Sequence, residues 1–214
     1  MDYENKDEKY YHLERDEMLV YLPKNANKVL EVGCGAGNFA KSIKIRNNAE
    51  VWGIELMDDE AKRAAEIIDK VLSGPCEEHI KNLPDNYFDA IFFNDVLEHL
   101  VDPYSVLKNI KSKLSKDGVV ISSIPNIRYH SALKSLVINK DWKYMDHGIM
   151  DKTHLRFFTK KSIVNMYEDA GYEVKLHEGI NKTRSLKPWL YNLLFLFTAL
   201  DMRNLQYATV AISK

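Results

Sequence analysis

Gly33, Gly35 and Gly37 stand at alternate positions directly after the apolar run Val29-Leu-Glu-Val32. Such a run reads as a buried strand. Glycines after it let the turn take backbone conformations closed to other residues and let a ligand approach the main chain. Asn38 follows, a residue suited to the N-cap of a helix over 38–44. A second apolar run, 50–56, carries the carboxylate of Glu55 near its end. At that point of a doubly wound sheet, a carboxylate accepts hydrogen bonds from both hydroxyls of a ribose. Glycine turn, helix start and strand-end acid together predict a site for an adenosine-containing ligand. A dinucleotide loop of the form G-x-G-x-x-G needs a third glycine at 38, where Asn38 stands, so the spacing disfavours a nicotinamide dinucleotide.

The elements that must hold these groups alternate. Apolar runs at 28–32, 50–56, 71–73, 88–94 and 119–124 are interleaved with helical patterns, the signature of βαβ units around a parallel sheet. In the helix expected over 58–71, Ala61, Ala64, Ala65 and Ile68 recur at helical spacing, and Asp58, Asp59 and Glu60 suit its positive end. The continuous run Phe88–Asn94 suits a strand covered on both faces. Asp102-Pro103 opens a further helix, with Asp102 as N-cap and a core face of Leu107, Ile110 and Leu114, ended by Gly118. An opening helix over 10–21, a helix over 159–170 capped by Gly171, and strands at 173–177 and 206–213, the latter at or near a sheet edge, complete the set. The stretches at about 126–158 and 179–205 fall outside the alternation, and long connections of this kind commonly bind ligands.

Composition removes several classes of function. The 214 residues carry 30 lysines and arginines against 31 acids, a net charge of −1, without the basic excess of a dedicated nucleic-acid binder. The charged start, Met1 to Glu8, is no secretory segment, and two cysteines, Cys34 and Cys76, cannot build a disulfide framework. A cytoplasmic setting is the expectation.

Read in order, Glu31-Val-Gly33-Cys-Gly35-Ala-Gly37, Gly53-Ile-Glu55-Leu, Phe88 through Pro103 with its Asn94-Asp95-Val-Leu-Glu98-His99 core, and Gly118 through Asn126 resemble the class I S-adenosylmethionine-dependent methyltransferases. The resemblance covers about two thirds of the chain. It implies one α/β domain over 1–214: a doubly wound, Rossmann-like, seven-stranded, mostly parallel sheet with one antiparallel strand and helices on both faces, the two irregular stretches being insertions on the acceptor side. It also implies S-adenosylmethionine as cofactor, with the glycine loop against its methionyl and ribose parts. Glu31 would order that loop or meet the methionine amine, Glu55 would hold the ribose, and the backbone of Asn94 and Asp95 would border the methionine. Relatives that carry Gly-Asp-x-Glu after the third strand use the aspartate for adenine. This chain has Gly74-Pro75-Cys76-Glu77, and Pro75 cannot take that role. Arg15 would pair with the cofactor carboxylate or lie solvated on its helix.

A sulfonium methyl is a good electrophile, so alignment does most of the work, but a hydroxyl acceptor also needs a base. Of the seven histidines, His130, His147 and His154 fall in the insertion after the fifth strand. Asp151-Lys-Thr-His154-Leu-Arg156-Phe-Phe158 resembles a segment of methyltransferases associated with bacterial cell-surface glycan synthesis. On that resemblance His154 would deprotonate a hydroxyl while Arg156 binds a carboxylate or phosphate on a small-molecule acceptor. The alternative is that both pin the insertion to the helix after Thr159, and His99, beside Glu98, is expected to pack or hydrogen-bond under the cofactor loop. A metal site from Asp146, His147, Asp151 and His154 has no diagnostic spacing, and no metal is expected. Pro188 to Leu200 is almost wholly apolar yet too short to span a bilayer. It would form a lid, a homodimer contact or a peripheral membrane contact, the last helped by Lys182, Arg184 and Lys187. The favoured acceptor is a hydroxyl of a sugar or glycan precursor. The alternatives are a quinone precursor, an amine, or cofactor binding without turnover.

Overall fold

The computed structural model describes residues 15–193 and 195–214. The expected helix segment 10–14, with His12, and Leu194 lie outside them. Seven strands form one sheet in the order β3-β2-β1-β4-β5-β7-β6: β1 (Lys28–Val32), β2 (Glu50–Glu55), β3 (Lys70–Ser73), β4 (Phe88–Asn94), β5 (Leu114–Pro125), β6 (Tyr172–Lys182) and β7 (Asn204–Ser213). β7 runs antiparallel to both neighbours, and the other pairings are parallel. The expected single antiparallel strand is therefore present, one place in from the edge. Strand order reverses between β1 and β4, the switch point at which doubly wound sheets open a ligand crevice.

Eight helices flank the sheet among the described residues: α1 (Asp16–Leu19), α2 (Asn38–Asn47), α3 (Asp58–Ala65), α4 (Cys76–His79), α5 (Pro103–Ile110), α6 (His130–Val137), α7 (Lys160–Asp169) and α8 (Lys187–Leu193). Alternate strand residues face opposite sides. Leu30 and Phe93 accordingly join Leu107, Ile110 and Tyr167 in one core, while Val29 and Phe92 join Phe39, Ile43 and Ile121 in the other.

Several ends differ from the sequence pattern, for identifiable reasons. Gly37, at φ 87°, occupies the N-cap of α2, so Asn38 is its first helical residue. α3 stops at Ala65 because the chain must turn to pair Lys70–Ser73 with β2. α5 starts as expected, Asp102 accepting a hydrogen bond from the Ser105 amide at 3.1 Å. It ends at Ile110, and Leu114 and Gly118 belong to β5. A Cβ at Gly118 would stand 2.7 Å from the Phe88 carbonyl, so the glycine permits strand contact and ends no helix. Thr159 and Ser162 cap α7 reciprocally, and Gly171 follows at φ 85°. β6 runs on to Lys182, taking the first residues of the expected second insertion into the sheet.

The two insertions meet. Asn126, fully buried, donates from its side-chain amide to the carbonyls of Asp201 and Asn204, each at 3.0 Å, and accepts from the Arg128 amide at 3.0 Å. Arg128 grips the Asp201 carboxylate with two nitrogens, at 2.6 and 3.2 Å. In the apolar stretch after Pro188, Trp189, Leu190, Leu193, Phe195, Leu196 and Phe197 are exposed, while Pro188, Asn192 and Ala199 are buried. No helix among the described residues is long and apolar enough to cross a membrane.

Candidate active site

At the carboxyl ends of β1 and β4 the chain leaves the sheet in opposite directions and a cavity of about 290 Å³ opens. Gly33 and Gly35 line it, with φ of 73° and 51°. The Gly33 amide donates to the Ile54 carbonyl at 2.7 Å, which draws the loop onto the end of β2. A Cβ at Gly33 would lie 2.5 Å from Cγ2 of Val96, so the loop can pass the strand-β4 turn only without a side chain. Gly37 stands off the cavity. It packs against Ala64 of α3, where a Cβ would come within 3.2 Å of backbone.

Glu55 points back at the glycine bend. Its Oε2 accepts from the Gly35 amide at 2.8 Å and its Oε1 from the Met57 amide at 2.9 Å. Burial pushes its carboxyl above the usual range, and those same amides pull it down. Glu31, at the floor, is buried, with Oε2 unbonded. Burial holds its carboxyl well above the ordinary value. The Asn94 side chain is close enough to oppose that shift, yet neither its nitrogen nor its oxygen forms a hydrogen bond of normal geometry.

Asp95 also lines the cavity, with its backbone at φ 53°. Its side chain is tied to the sheet and to α1, pairing with Arg15 at 2.7 Å and accepting from Gln206 at 2.6 Å. Arg15 in turn donates to Ser123 at 2.5 Å. Arg15 is thus neither solvated nor aimed only at a ligand: it lines the cavity with a side chain 12% exposed. Gly74, Pro75, Cys76 and Glu77 form the wall beside Glu55, with the Gly74 amide on the Glu55 carbonyl at 2.8 Å.

A second cluster abuts this cavity. His99 lines it, and its Nδ1 lies 3.1 Å from the Thr153 carbonyl. The ring of His154 stands behind, edge-on to His99 at 4.6 Å, with Nδ1 2.9 Å from the Ile149 carbonyl. A ring nitrogen facing a carbonyl carries the proton, so each histidine keeps Nε2 as its basic nitrogen. Glu98 is 1% exposed, and neither of its carboxylate oxygens is hydrogen-bonded; His154 Nε2 approaches only to 4.0 Å. Burial first, then the Asp95 charge, hold the Glu98 carboxyl well above its ordinary value. One ligand atom from each of Glu98, His99 and His154 falls within 4.8 Å of the others, a donor set able to take a cation or share protons. Asp146, His147 and Asp151 are not among them.

The segment 151–158 is fastened to this turn by backbone. The Glu98 carbonyl accepts from the Leu155 and Arg156 amides at 2.9 and 3.0 Å. The Arg156 guanidinium donates to the Val101 carbonyl at 2.6 Å. His154 and Arg156 both lie outside the cavity lining, and among the described residues His99 is the histidine that reaches it. The sequence, with His99 beside Glu98, leads to packing or hydrogen bonding under the cofactor loop, and the bond to the Thr153 carbonyl agrees with the second of these. The exposure of His99 to the cavity depends on where 151–158 folds back, which no local pattern reports.

The cavity fits an adenosyl sulfonium. A ribose would meet Glu55, a methionine moiety would meet Glu31, Asn94 and the Asp95 backbone, and Gly33 and Gly35 keep side chains off this stretch of the wall. These are the marks of a class I methyltransferase site. A family model described as a methyltransferase domain matches residues 3–177, and the chain belongs to that family.

Among curated proteins, the chain is 29% identical over 164 residues to a ubiquinone biosynthesis O-methyltransferase of Aeromonas salmonicida, over 72% of this chain and 66% of that protein. The chain therefore spans just under two thirds of that relative's length. Among solved structures it is similar to a SAM-dependent methyltransferase from Archaeoglobus fulgidus, with TM-score 0.72, 20% identity and coverage of 96% and 94%. It also shares its fold with the [4+2]-cyclase SpnF, with TM-score 0.61, 17% identity and coverage of 96% and 80%. That last likeness shows why fold alone does not fix a reaction.

Proposed function

We propose that the protein methylates a hydroxyl group of a small molecule, and that a phenolic hydroxyl of a quinone precursor is favoured over the sugar hydroxyl read from the glycan-type segment. The observation that carries this reading is His99 at the cavity wall, its tautomer fixed by the Thr153 carbonyl, with the unbonded Glu98 carboxyl and His154 behind it. An amine acceptor would need no such base. The named activity of the Aeromonas relative supports the phenolic choice.

S-adenosylmethionine supplies an electrophilic methyl group when bound. The chain's own part is to orient and to manage a proton. Glu55 and the Gly33–Gly37 bend fix the adenosyl end, while Glu31 and the Asn94–Asp95 backbone fix the amino-acid end. His99 Nε2 accepts the hydroxyl proton, and the Thr153 carbonyl, which accepts from Nδ1, orients the ring and stabilises the imidazolium that results. Arg156 acts as a positioning residue by holding the Val101 carbonyl at the rim.

The test is a labelled-methyl assay with a catechol, a free hexose and a primary amine offered separately. Label in the catechol, lost at neutral pH in His99→Asn while cofactor affinity holds, supports the reading. Label in the hexose restores the sugar assignment, and label in the amine with His99→Asn still active overturns the base.

A further inference from the structure

Beyond the cofactor cleft, at the carboxyl end of β6 and the start of β7, lies a second cavity of about 290 Å³. Its wall carries three cations, Lys160 at the start of α7, Lys182 at the end of β6 and Arg203 just before β7, together with Asn204 and Tyr207. None of the three cations forms an ion pair with a described residue. The one acid in the wall, Asp201, is already held by both nitrogens of Arg128. Tyr207 is fully buried, and its hydroxyl, though near the Asn204 side chain, forms no hydrogen bond of normal geometry. Its ring is locked against His177, stacked at 4.9 Å and 20°. Arg203 keeps its Nε buried and unbonded while its guanidinium lies over the Trp189 ring at 4.8 Å. Buried donors without acceptors are costly, and the exposed Lys160 and Lys182 add positive charge at the mouth of the same hollow. An anion entering the hollow would give the Arg203 Nε and the Tyr207 hydroxyl an acceptor and meet the charge of the two lysines.

The hollow lies at the same end of the sheet as the cofactor cleft, where β1, β4 and β6 finish and β7 begins. Gln206, at the start of β7, donates to Asp95 on the cofactor cavity's wall. With strands about 4.8 Å apart, two to three strand spacings separate the hollow from the β1/β4 crevice, roughly 10–14 Å. That is the reach of a small acceptor with a charged substituent remote from its reactive hydroxyl.

We propose that this hollow is a subsite for a phosphate-class oxyanion, phosphate or diphosphate, gripped by Lys160, Lys182 and Arg203 with the Tyr207 hydroxyl as a neutral donor. As a handle on the acceptor it rests on the proposed methyl transfer; as an anion site it does not. A carboxylate carries too little charge to balance three cations, whereas a diphosphate balances them and offers oxygens enough for four donors.

Calorimetric titration of the full chain with inorganic pyrophosphate at low salt tests this without any turnover. The expected result is one-to-one binding, with Kd at or below about 1 mM, undisturbed by saturating S-adenosylhomocysteine. Lys160→Gln/Lys182→Gln alters two exposed side chains and should weaken pyrophosphate about tenfold or more with cofactor affinity unchanged. Arg203→Gln should do the same, and the lysine pair keeps the test open if loss of the Trp189 contact unfolds that variant. Absence of binding, equal affinity in the lysine variant, or competition with S-adenosylhomocysteine overturns the subsite. UDP as a second probe separates the sources. Affinity equal to or tighter than pyrophosphate assigns the handle to a nucleotide-bearing acceptor, and weaker affinity assigns the site to a free oxyanion. Failure of the catechol assay would leave these binding results standing, so the two readings fall separately.

Discussion

Replacing Glu31 by glutamine should make the protein more stable at neutral and alkaline pH while weakening its hold on the cofactor. The carboxyl is 3% exposed, one of its oxygens is unbonded, and burial raises its proton affinity well above the ordinary value, with the Glu55 charge adding to the effect. Asn94, Arg15 and the Ala40 amide work against that shift without cancelling it. A carboxyl bound more tightly to its proton in the folded chain than in the unfolded one stabilises the fold while protonated. That contribution is complete below the unfolded value, about 4.3, and is lost as pH rises through the folded value. Glutamine has nearly the same shape and cannot ionise, so the loss disappears. Each tenfold change in proton affinity on folding is worth about 1.4 kcal/mol, and 1 kcal/mol moves Tm by about 2–4 °C in a protein of this size. Thermal scans of Glu31→Gln should therefore run about 3 °C or more above wild type at pH 8 and converge with it near pH 4. Cofactor titrated into the same samples should stabilise the variant less, because a cationic amine gains from the charge that the apo fold resents. A variant less stable than wild type at pH 8 would refute the argument, since it would mean that Arg15 and the start of α2 hold Glu31 ionised.

Other perturbations bear on separate parts of the site. Glu55→Ala removes the acceptor for two amides as well as a ribose partner, and should weaken S-adenosylhomocysteine by about 1.5–3 kcal/mol, tenfold to over a hundredfold by calorimetry; unchanged affinity would move the ribose elsewhere. Gly33→Ala adds a side chain at positive φ against Val96, and should cost at least about 1–2 kcal/mol of stability in denaturant titrations, with a loss of cofactor binding that Val96→Ala partly restores. Asn126→Ala strips two buried carbonyls of their donor, and should lower stability by about 2–4 kcal/mol in the same assay, a far larger effect than any exposed residue of α6 would give.

The meeting of the glycine bend with Glu55 was legible because it is written in short runs. The glycine bend and Glu55 each sit at the end of one apolar strand, and parallel pairing of β1 with β2 brings their ends level without any long-range knowledge. Asp102 as N-cap was legible for the same local reason. The histidine cluster beside it was not. His99, Glu98 and His154 meet only because backbone amides at 155 and 156 find the Glu98 carbonyl across more than fifty residues, and nothing periodic marks that contact. Gly118 misled because a glycine after a helical pattern ordinarily ends a helix; here it answers to the Phe88 carbonyl on a neighbouring strand. Lys160, Lys182 and Arg203 are unremarkable lysines and arginine in the sequence, and converge only once β7 has folded back between β5 and β6.

The buried amide of Asn126 has a consequence for how this enzyme can diversify. Because one side chain staples the loop after β5 to the turn before β7, those two segments behave as a single ornament on the sheet, although nearly eighty positions separate its fastening points. Exchanging either loop alone with a relative's would leave the staple half-driven. Loops transplanted as a matched pair should carry a new acceptor preference and leave the adenosyl cleft untouched.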